Sequence, residues 1–339
     1  MRLVVAVTAC ALLYSAFWLI IATRALDSLE TWAERQQQAG YTVRWDGVEM
    51  SGYPFRLVAL LDQPRASATG KWAWSSGAVT LSGRPWLWNT LRLDAPGLHT
   101  LTVFENGVAA EQSTTLDAGT FSIEADFLEG EWRQMGTAGS DLRVAEGARV
   151  IAELARFSGA LTRETIAEAD ERTRTASIRV DLSDLDIQIL ARNLIQATGS
   201  VVRFASLDVE IYGPLPGDLT PPALTAWRDA GGVAEVRRVR ADYGPLGLDA
   251  DGTLALDGQL QPVGSFVARL DGFSETVDAL HGANIISDGN ALTAKLVLGV
   301  MAKRDGATGW KRLSLAVNLQ DRTLYAGPLA MVKLPIIQW

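Results

Sequence analysis

The run from Leu3 to Ala22, LVVAVTACALLYSAFWLIIA, contains no charged residue and is bracketed by Arg2 and Arg24. At about 1.5 Å of rise per residue, a helix of that length covers about 30 Å, the thickness of a bilayer's hydrocarbon core. A segment crossing lipid must satisfy its backbone polar groups internally, which restricts the run to helix. Tyr14, Phe17 and Trp18 suit a span approaching an interface. The pattern predicts an uncleaved signal anchor over residues 1–23. A cleaved signal peptide would have a shorter apolar core and a small-residue cleavage site, and Thr23, Arg24, Ala25 and Leu26 make a poor one. Val7-Thr8-Ala9-Cys10 has the outline of a lipobox, but it stands almost at the N-terminus with a long apolar run behind it. Arginines flank both ends, so the charge bias on orientation is weak. The absence of a further span and the Trp-rich strands that follow fit an exported body.

Residues 24–40 continue as a helical stalk, with Leu26, Leu29, Trp32 and Ala33 on one stripe and Glu30, Glu34 and Arg35 opposite. Gly40 ends it. The stretch Val43–Leu57 then alternates: Val43, Trp45, Gly47 and Glu49 are expected on one side, and Arg44, Asp46, Val48 and Met50 on the other. Gly52 and Pro54 break the ladder, which predicts a strand, a bend and a second strand from Phe55. Up to about Leu161 the chain reads as antiparallel β: Lys71–Trp74, Gly77–Leu81, Leu87–Leu93, His99–Glu105 and Gly119–Phe127 alternate between turn residues. Residues 148–173 read equally as helix or strand.

In the second half, Ala176–Ile187 alternates Ile178, Val180 and Leu182 with Arg179 and Asp181. Helices are expected over residues 188–197 and 219–230, the latter with Thr220 as N-cap, Pro221 and Pro222 in the first turn and Gly231-Gly232 as the stop. Long strands are expected at Val201–Tyr212, Val233–Tyr243, Leu246–Leu256 and Val263–Leu270. Short helices follow at Phe273–His281 and Gly289–Ala302, the latter with Leu292, Leu296 and Val300 on one stripe, then strands at Lys311–Asn318 and Arg322–Gly327. The apolar tail Leu329–Trp339 contains Pro335, which limits it to an edge or an extended cover. The expected divisions of the body are 41–187, β-rich, and 188–339, α+β, or a single domain over 41–339.

Composition supports a folded body and narrows its partners. The chain of 339 residues is 48% hydrophobic and 21% charged, with a net charge of -8 spread along its length. That charge disfavours nucleic acid, whose phosphates need a basic stripe. The single cysteine, Cys10, excludes an internal disulfide and is expected inside the membrane. The 11 tryptophans are the compositional oddity, about two to three times ordinary usage. Trp72 and Trp74 share one face of their strand, as do Trp86 and Trp88. They read either as core packing or as an apolar groove open to lipid, because tryptophan offers a large apolar face to varied partners.

Several short motifs recur in a fixed order. Asp251-Gly252-Thr253-Leu254-Ala255-Leu256-Asp257-Gly258 leads into Gly264-Ser265-Phe266-Val267-Ala268-Arg269-Leu270 as a meander. With Gly52-Tyr53-Pro54-Phe55-Arg56, the Gly83-Arg84-Pro85 turn with Trp88, Leu224-Thr225-Ala226-Trp227-Arg228 closed by Gly231-Gly232, and Tyr325-Ala326-Gly327-Pro328, the chain resembles the uncharacterised bacterial family called domain of unknown function 2125. The resemblance runs from about residue 30 to the end. That family in turn looks like a distant relative of AsmA-type envelope proteins. The resemblance implies an inner-membrane anchor and a curved, groove-forming β-sheet in the periplasm. It carries over no catalytic residues.

The residues themselves name no reaction. His99 and His281 are the only histidines, and His281 reads as a C-terminal helix cap. No Cys or His cluster offers a transition-metal site, no glycine-rich phosphate loop is present, and Gly139-Ser140-Asp141 is no nucleophile elbow. Asp181, Asp184 and Asp186 lack calcium-loop spacing and read as acids solvating a strand edge. Arg56 is expected either to pair with a body carboxylate or to touch a lipid headgroup. The expectation is an α+β protein: an N-terminal transmembrane helix, then a long, curved, mainly antiparallel sheet with a few short packed helices. It is read as a non-enzymatic envelope protein without cofactor, anchored through Leu3–Ala22, its groove holding phospholipid or an acyl chain. The competing reading is a scaffold that recruits an envelope protein through a sheet edge or the apolar tail. An enzyme, needing a carboxylate or serine constellation invisible in sequence, comes third.

Overall fold

The structure, a computed structural model, describes residues 2–105, 108–109, 113–129, 131–164, 166, 169–216, 220–304, 311–327 and 329–339. Its backbone contacts divide it into two units, Met1–Ile151 and Ala152–Trp339. The fold is that of the sequence expectation: a long apolar helix, then antiparallel sheet with a few short helices.

Unit 1 opens with one continuous helix, α1 (Arg2–Gln38), that joins the apolar run to the stalk and stops where Gly40 turns to φ 88°. Eight strands follow in antiparallel order: β1 (Tyr41–Arg44), β2 (Gly47–Ser51), β3 (Leu57–Asp62), β4 (Arg65–Ala68), β5 (Trp72–Ser76), β6 (Ala78–Arg84), β7 (Leu87–Asp94) and β8 (Gly97–Glu105). A short β9 (Val108–Ala109) pairs with β8, and the long β10 (Thr114–Leu128) and β11 (Glu131–Glu146) form a hairpin.

The pairing shows that these strands are halves of longer ones. β1 pairs with β4, β4 with β5 and β5 with β8, while β2 pairs with β3, β3 with β6 and β6 with β7. β10 is long enough to pair with β8 through Thr114–Ala118 and with β7 through Ser122–Asp126. The breaks at Trp45–Asp46, Gln63–Pro64, Gly77 and Ala95–Pro96 therefore line up as a crease across the sheet. Gln63 takes φ 47° there, and Asp46, Gln63 and Ala95 donate their N–H groups to Asp62, Gly77 and Phe121. The core lies in the crease: Leu61, Val79 and Ala95 are buried, with Leu29 of α1, Trp45, Val48 and Trp74 packed on them. Trp45 and Val48 share this core although strict alternation places them on opposite sides. The bend between β1 and β2 turns both inward.

In unit 2, β12 (Arg149–Arg163), which begins in unit 1, resolves the ambiguous 148–173 stretch as strand up to Arg163. The meander continues through β13 (Arg174–Ile187), β14 (Val201–Tyr212), β15 (Val233–Tyr243), β16 (Leu246–Leu256) and β17 (Pro262–Asp271). After the short β18 (Lys303–Arg304) come β19 (Lys311–Gln320), β20 (Thr323–Ala326) and β21 (Leu329–Lys333). Apart from β18, which pairs with β19, each strand pairs antiparallel with the next, β17 joining β19. The helices occupy connections: α2 (Arg192–Thr198), α3 (Pro221–Asp229), α4 (Phe273–Gly282) and α5 (Asp288–Met301). The α3 cap is a packing device. Trp227 is buried, donates its indole N–H to Tyr212 O at 3.0 Å, and lies flat on Gly232, where any side chain would collide with its ring. The tail beyond β21 is extended and tied down: Gln261 Nε2 donates to Ile337 O, Ile337 N donates to Gln261 Oε1, and Trp339 Nε1 donates to Leu260 O.

Candidate lipid-contacting faces

The register of unit 2 sorts its side chains onto two unlike faces. Arg179 stands opposite Asp208 and donates to its carboxylate at 2.8 Å. Glu210 accepts from Arg237 at 2.6 Å, from Tyr212 at 3.0 Å and from Arg174 at 3.1 Å. Arg269 bridges Asp249 and Asp251, and Arg312 forks onto Asp271. This ladder continues the cross-strand pairing that stabilises a solvated sheet face. The Arg237 hydrogen bond holds Glu210 below the usual carboxylate range, and Glu210 in turn raises Arg237.

The other face is apolar across the same strands. Ile178 stands opposite Val209, Val180 opposite Leu207, Leu207 opposite Val239, and Ala268 opposite Ala250 and Leu315. At its ends this face is closed: Leu313 is 1% exposed near α5, and Val209 and Val236 are buried. In the middle, Ile178, Val180, Leu182, Leu207, Val239, Leu248 and Phe266 are only half-buried. Strand neighbours shield their flanks, but among the described residues of unit 2 no second layer closes them off as in a sandwich core. A hollow of about 350 Å³ opens near Gly264, between Leu254 and Leu319.

The four tryptophans of the sequence expectation belong to two strands and a turn. Trp72 lies against Tyr41, with ring centroids 6.2 Å apart, and Trp74 stacks on His99 at 6.0 Å while packing on the crease core. Trp86 sits in the β6–β7 turn and is 52% exposed. Trp88 lies in β7, and its side chain falls outside the described ones. The turn Gly52–Arg56 is bound to α1. Trp18 Nε1 donates to Arg56 O at 2.9 Å, Ser15 Oγ and Tyr53 OH share a hydrogen bond of 2.7 Å, and Tyr14 OH donates to Pro54 O. Arg56 is exposed and has no carboxylate partner among the described residues.

The remaining polar candidates have structural partners. His99 is buried and hydrogen-bonded to Ala95 O at 2.9 Å. His281 reaches Asp288 at 2.6 Å and lowers its pKa, a bridge between α4 and α5 that the helix-cap reading missed. Asp181, Asp184 and Asp186 do not sit on an edge, because β13 is paired on both sides. Among the described residues no group of three or more His, Cys, Asp or Glu could hold a metal. What sequence reading missed is the aliphatic face itself, although the alternation of Ile178, Val180 and Leu182 carried its signal.

The family model of domain of unknown function 2125, described as an uncharacterised protein conserved in bacteria, matches residues 18–335. The chain belongs to that family. No curated protein and no solved structure matches it. The match to the DUF2125 family starts at Trp18, the first residue of α1 buried against the body. Of the helices among the described residues, α1 is long and apolar enough to cross a membrane.

Proposed function

We propose that this DUF2125 protein is a single-pass inner-membrane protein with its body in the periplasm, and that the uncovered apolar face of unit 2 holds an acyl chain or phospholipid. In this reading it performs no catalysis and supports envelope homeostasis. The observation that supports it is the asymmetry of the sheet: a satisfied ladder of charges on one face, and a row of half-buried aliphatic side chains on the other. Leaving that row in water forgoes about 25 cal/mol for each Å² of apolar surface, which an acyl chain recovers without needing any directional group.

The test is photocrosslinking in living cells at adjacent positions of β14. Benzoyl-phenylalanine at Leu207 faces the apolar side, whereas at Ser206 it faces the charged side at the same height along the sheet. Lipid adducts at Leu207 and none at Ser206 are expected. Equal labelling, or none at either position, refutes the groove. A scaffold reading draws on the exposure of Val332 (49%) in β21 and Ile336 (62%) in the tail. It predicts protein adducts at those two positions instead.

A further inference from the structure

α1 does more than lead into the sheet. Its last residues enter β1 at one end of unit 1, Leu29 packs on the crease in the middle, and Tyr14–Trp18 meet the 52–56 turn at the other end. At that second end the register brings further turns together. Leu57, just after Arg56, pairs with Gly83, and the β6–β7 turn through Pro85 and Trp86 follows immediately. The exposed side chains there are large and apolar: Phe55 at 70%, Tyr53 at 54% and Trp86 at 52%. Arg56 and Arg84 are exposed beside them.

The span fixes how deep this tip must lie. If Leu3–Ala22 fills a hydrocarbon core of about 30 Å, then Tyr14–Trp18 lie about 6–12 Å inside its C-terminal boundary. The part of the run whose residues are all exposed, Leu3–Leu13, covers only about 17 Å, too short to span alone. Leu19 and Ile20, at the same level on the helix face turned away from the body, are more than half exposed, as residues facing lipid would be.

We propose that this tip of unit 1 is a membrane-seated surface: the 52–56 turn and Trp86 pass through the interfacial layer into the edge of the hydrocarbon core that α1 crosses, the Pro54 and Arg56 carbonyls satisfied there by Tyr14 and Trp18, Phe55 reaches acyl chains, and Arg56 and Arg84 extend back to lipid headgroups. The proposal rests on α1 being the anchor, and it concerns a different unit from the groove. Aromatic side chains with a polar edge are favoured at that depth, and arginine extends its charge back toward headgroups. Two contacts, helix and tip, fix the tilt of unit 1 on the membrane.

The test uses the full-length protein in vesicles of phosphatidylethanolamine and phosphatidylglycerol. In a Cys10→Ser background, single cysteines replace Leu13, Phe55, Trp86 or Val103 and carry a nitroxide. Val103 is the control, apolar and 52% exposed but paired with Trp72 toward the far end of the sheet. Relaxation by oxygen, which concentrates in lipid, is compared with relaxation by a water-soluble nickel chelate. The expected result is an oxygen-to-nickel ratio at Leu13, Phe55 and Trp86 several-fold above that at Val103. Phe55 and Trp86 as aqueous as Val103, with Leu13 in lipid, would overturn the seated tip and leave the anchor standing. Val103 as deep as Phe55 would overturn it too, since the unit would then lie flat. An aqueous Leu13 would remove the anchor, and the tip with it.

Discussion

A methyl group added at Gly232 tests the packing that closes α3. An ideal Cβ there would lie 2.2, 2.4 and 2.5 Å from Cε2, Cδ2 and Nε1 of Trp227. Carbon atoms in contact prefer about 3.5–4.0 Å, so the indole would have to retreat by about 1 Å or more. The retreat stretches the 3.0 Å hydrogen bond to Tyr212 O, worth about 1 kcal/mol, and overpacking of this kind costs about 1–3 kcal/mol. Gly232→Ala is therefore expected to destabilise unit 2 by about 2–4 kcal/mol. The mechanism is separable from any backbone preference of glycine. In a Trp227→Ala background the collision partner is gone, so the same substitution should cost under about 0.5 kcal/mol, and the double-mutant cycle should show coupling of about 2 kcal/mol or more. Urea unfolding of the detergent-solubilised full-length chain, followed by far-ultraviolet circular dichroism, gives all four stabilities. An unchanged midpoint for Gly232→Ala, or an equal cost with and without Trp227, would refute the reasoning.

Four further outcomes follow from the same geometry. Gly52 holds φ 95°, and its Cβ would stand 2.8 Å from Arg56 O, so Gly52→Ala should lower stability by about 1–3 kcal/mol and expose the Arg56 bond to trypsin. Gly47→Ala, with nothing within 4 Å of the new methyl, should be close to neutral in the same assay. Gln261→Ala removes both hydrogen bonds to Ile337, at 3.1 and 3.0 Å; hydrogen exchange should then show the tail released by about 1–3 kcal/mol with β16 and β17 unchanged. Glu210 has its folded pKa depressed by Arg237, so its contribution is present above the ordinary carboxylate range and lost as pH falls through the depressed value. Glu210→Gln should be less stable than the parent at neutral pH and show a shallower loss on acidification, read from urea midpoints between about pH 3 and 7.

Much of the ladder was legible because its signals are local. The strands Val233–Tyr243 and Leu246–Leu256 match expectation at both ends, since glycine and aspartate turns bound clean period-two runs. α3 begins within two residues of expectation for a similar reason, with Pro221 and Pro222 placed where a first turn accepts them. The crease in unit 1 was not legible. It depends on four breaks in four separate strands coming into register, and a single glycine or Gln63 with positive φ reads as an ordinary turn until the pairing is known. Trp45 shows the consequence, turned into the same core as Val48 by a bend that alternation cannot foresee.

The candidate face was half legible for a physical reason of its own. Alternation tells which side of a strand is apolar, but a sheet face covered by a second layer and one left open produce the same pattern. Only the rest of the chain decides between them, through whether any element has the length and the apolar stripe to serve as a cover. α5 has an apolar stripe of Leu292, Leu296 and Val300, yet those side chains are 63%, 62% and 86% exposed and cover no strand. α2, at seven residues, and α3, at nine, close connections and cannot blanket strands of ten to fourteen residues. Each described helix of unit 2 is committed to a connection, so among the described residues of that unit none runs along the aliphatic row of β13 to β17, and it is this openness, invisible to alternation, on which the proposed groove depends.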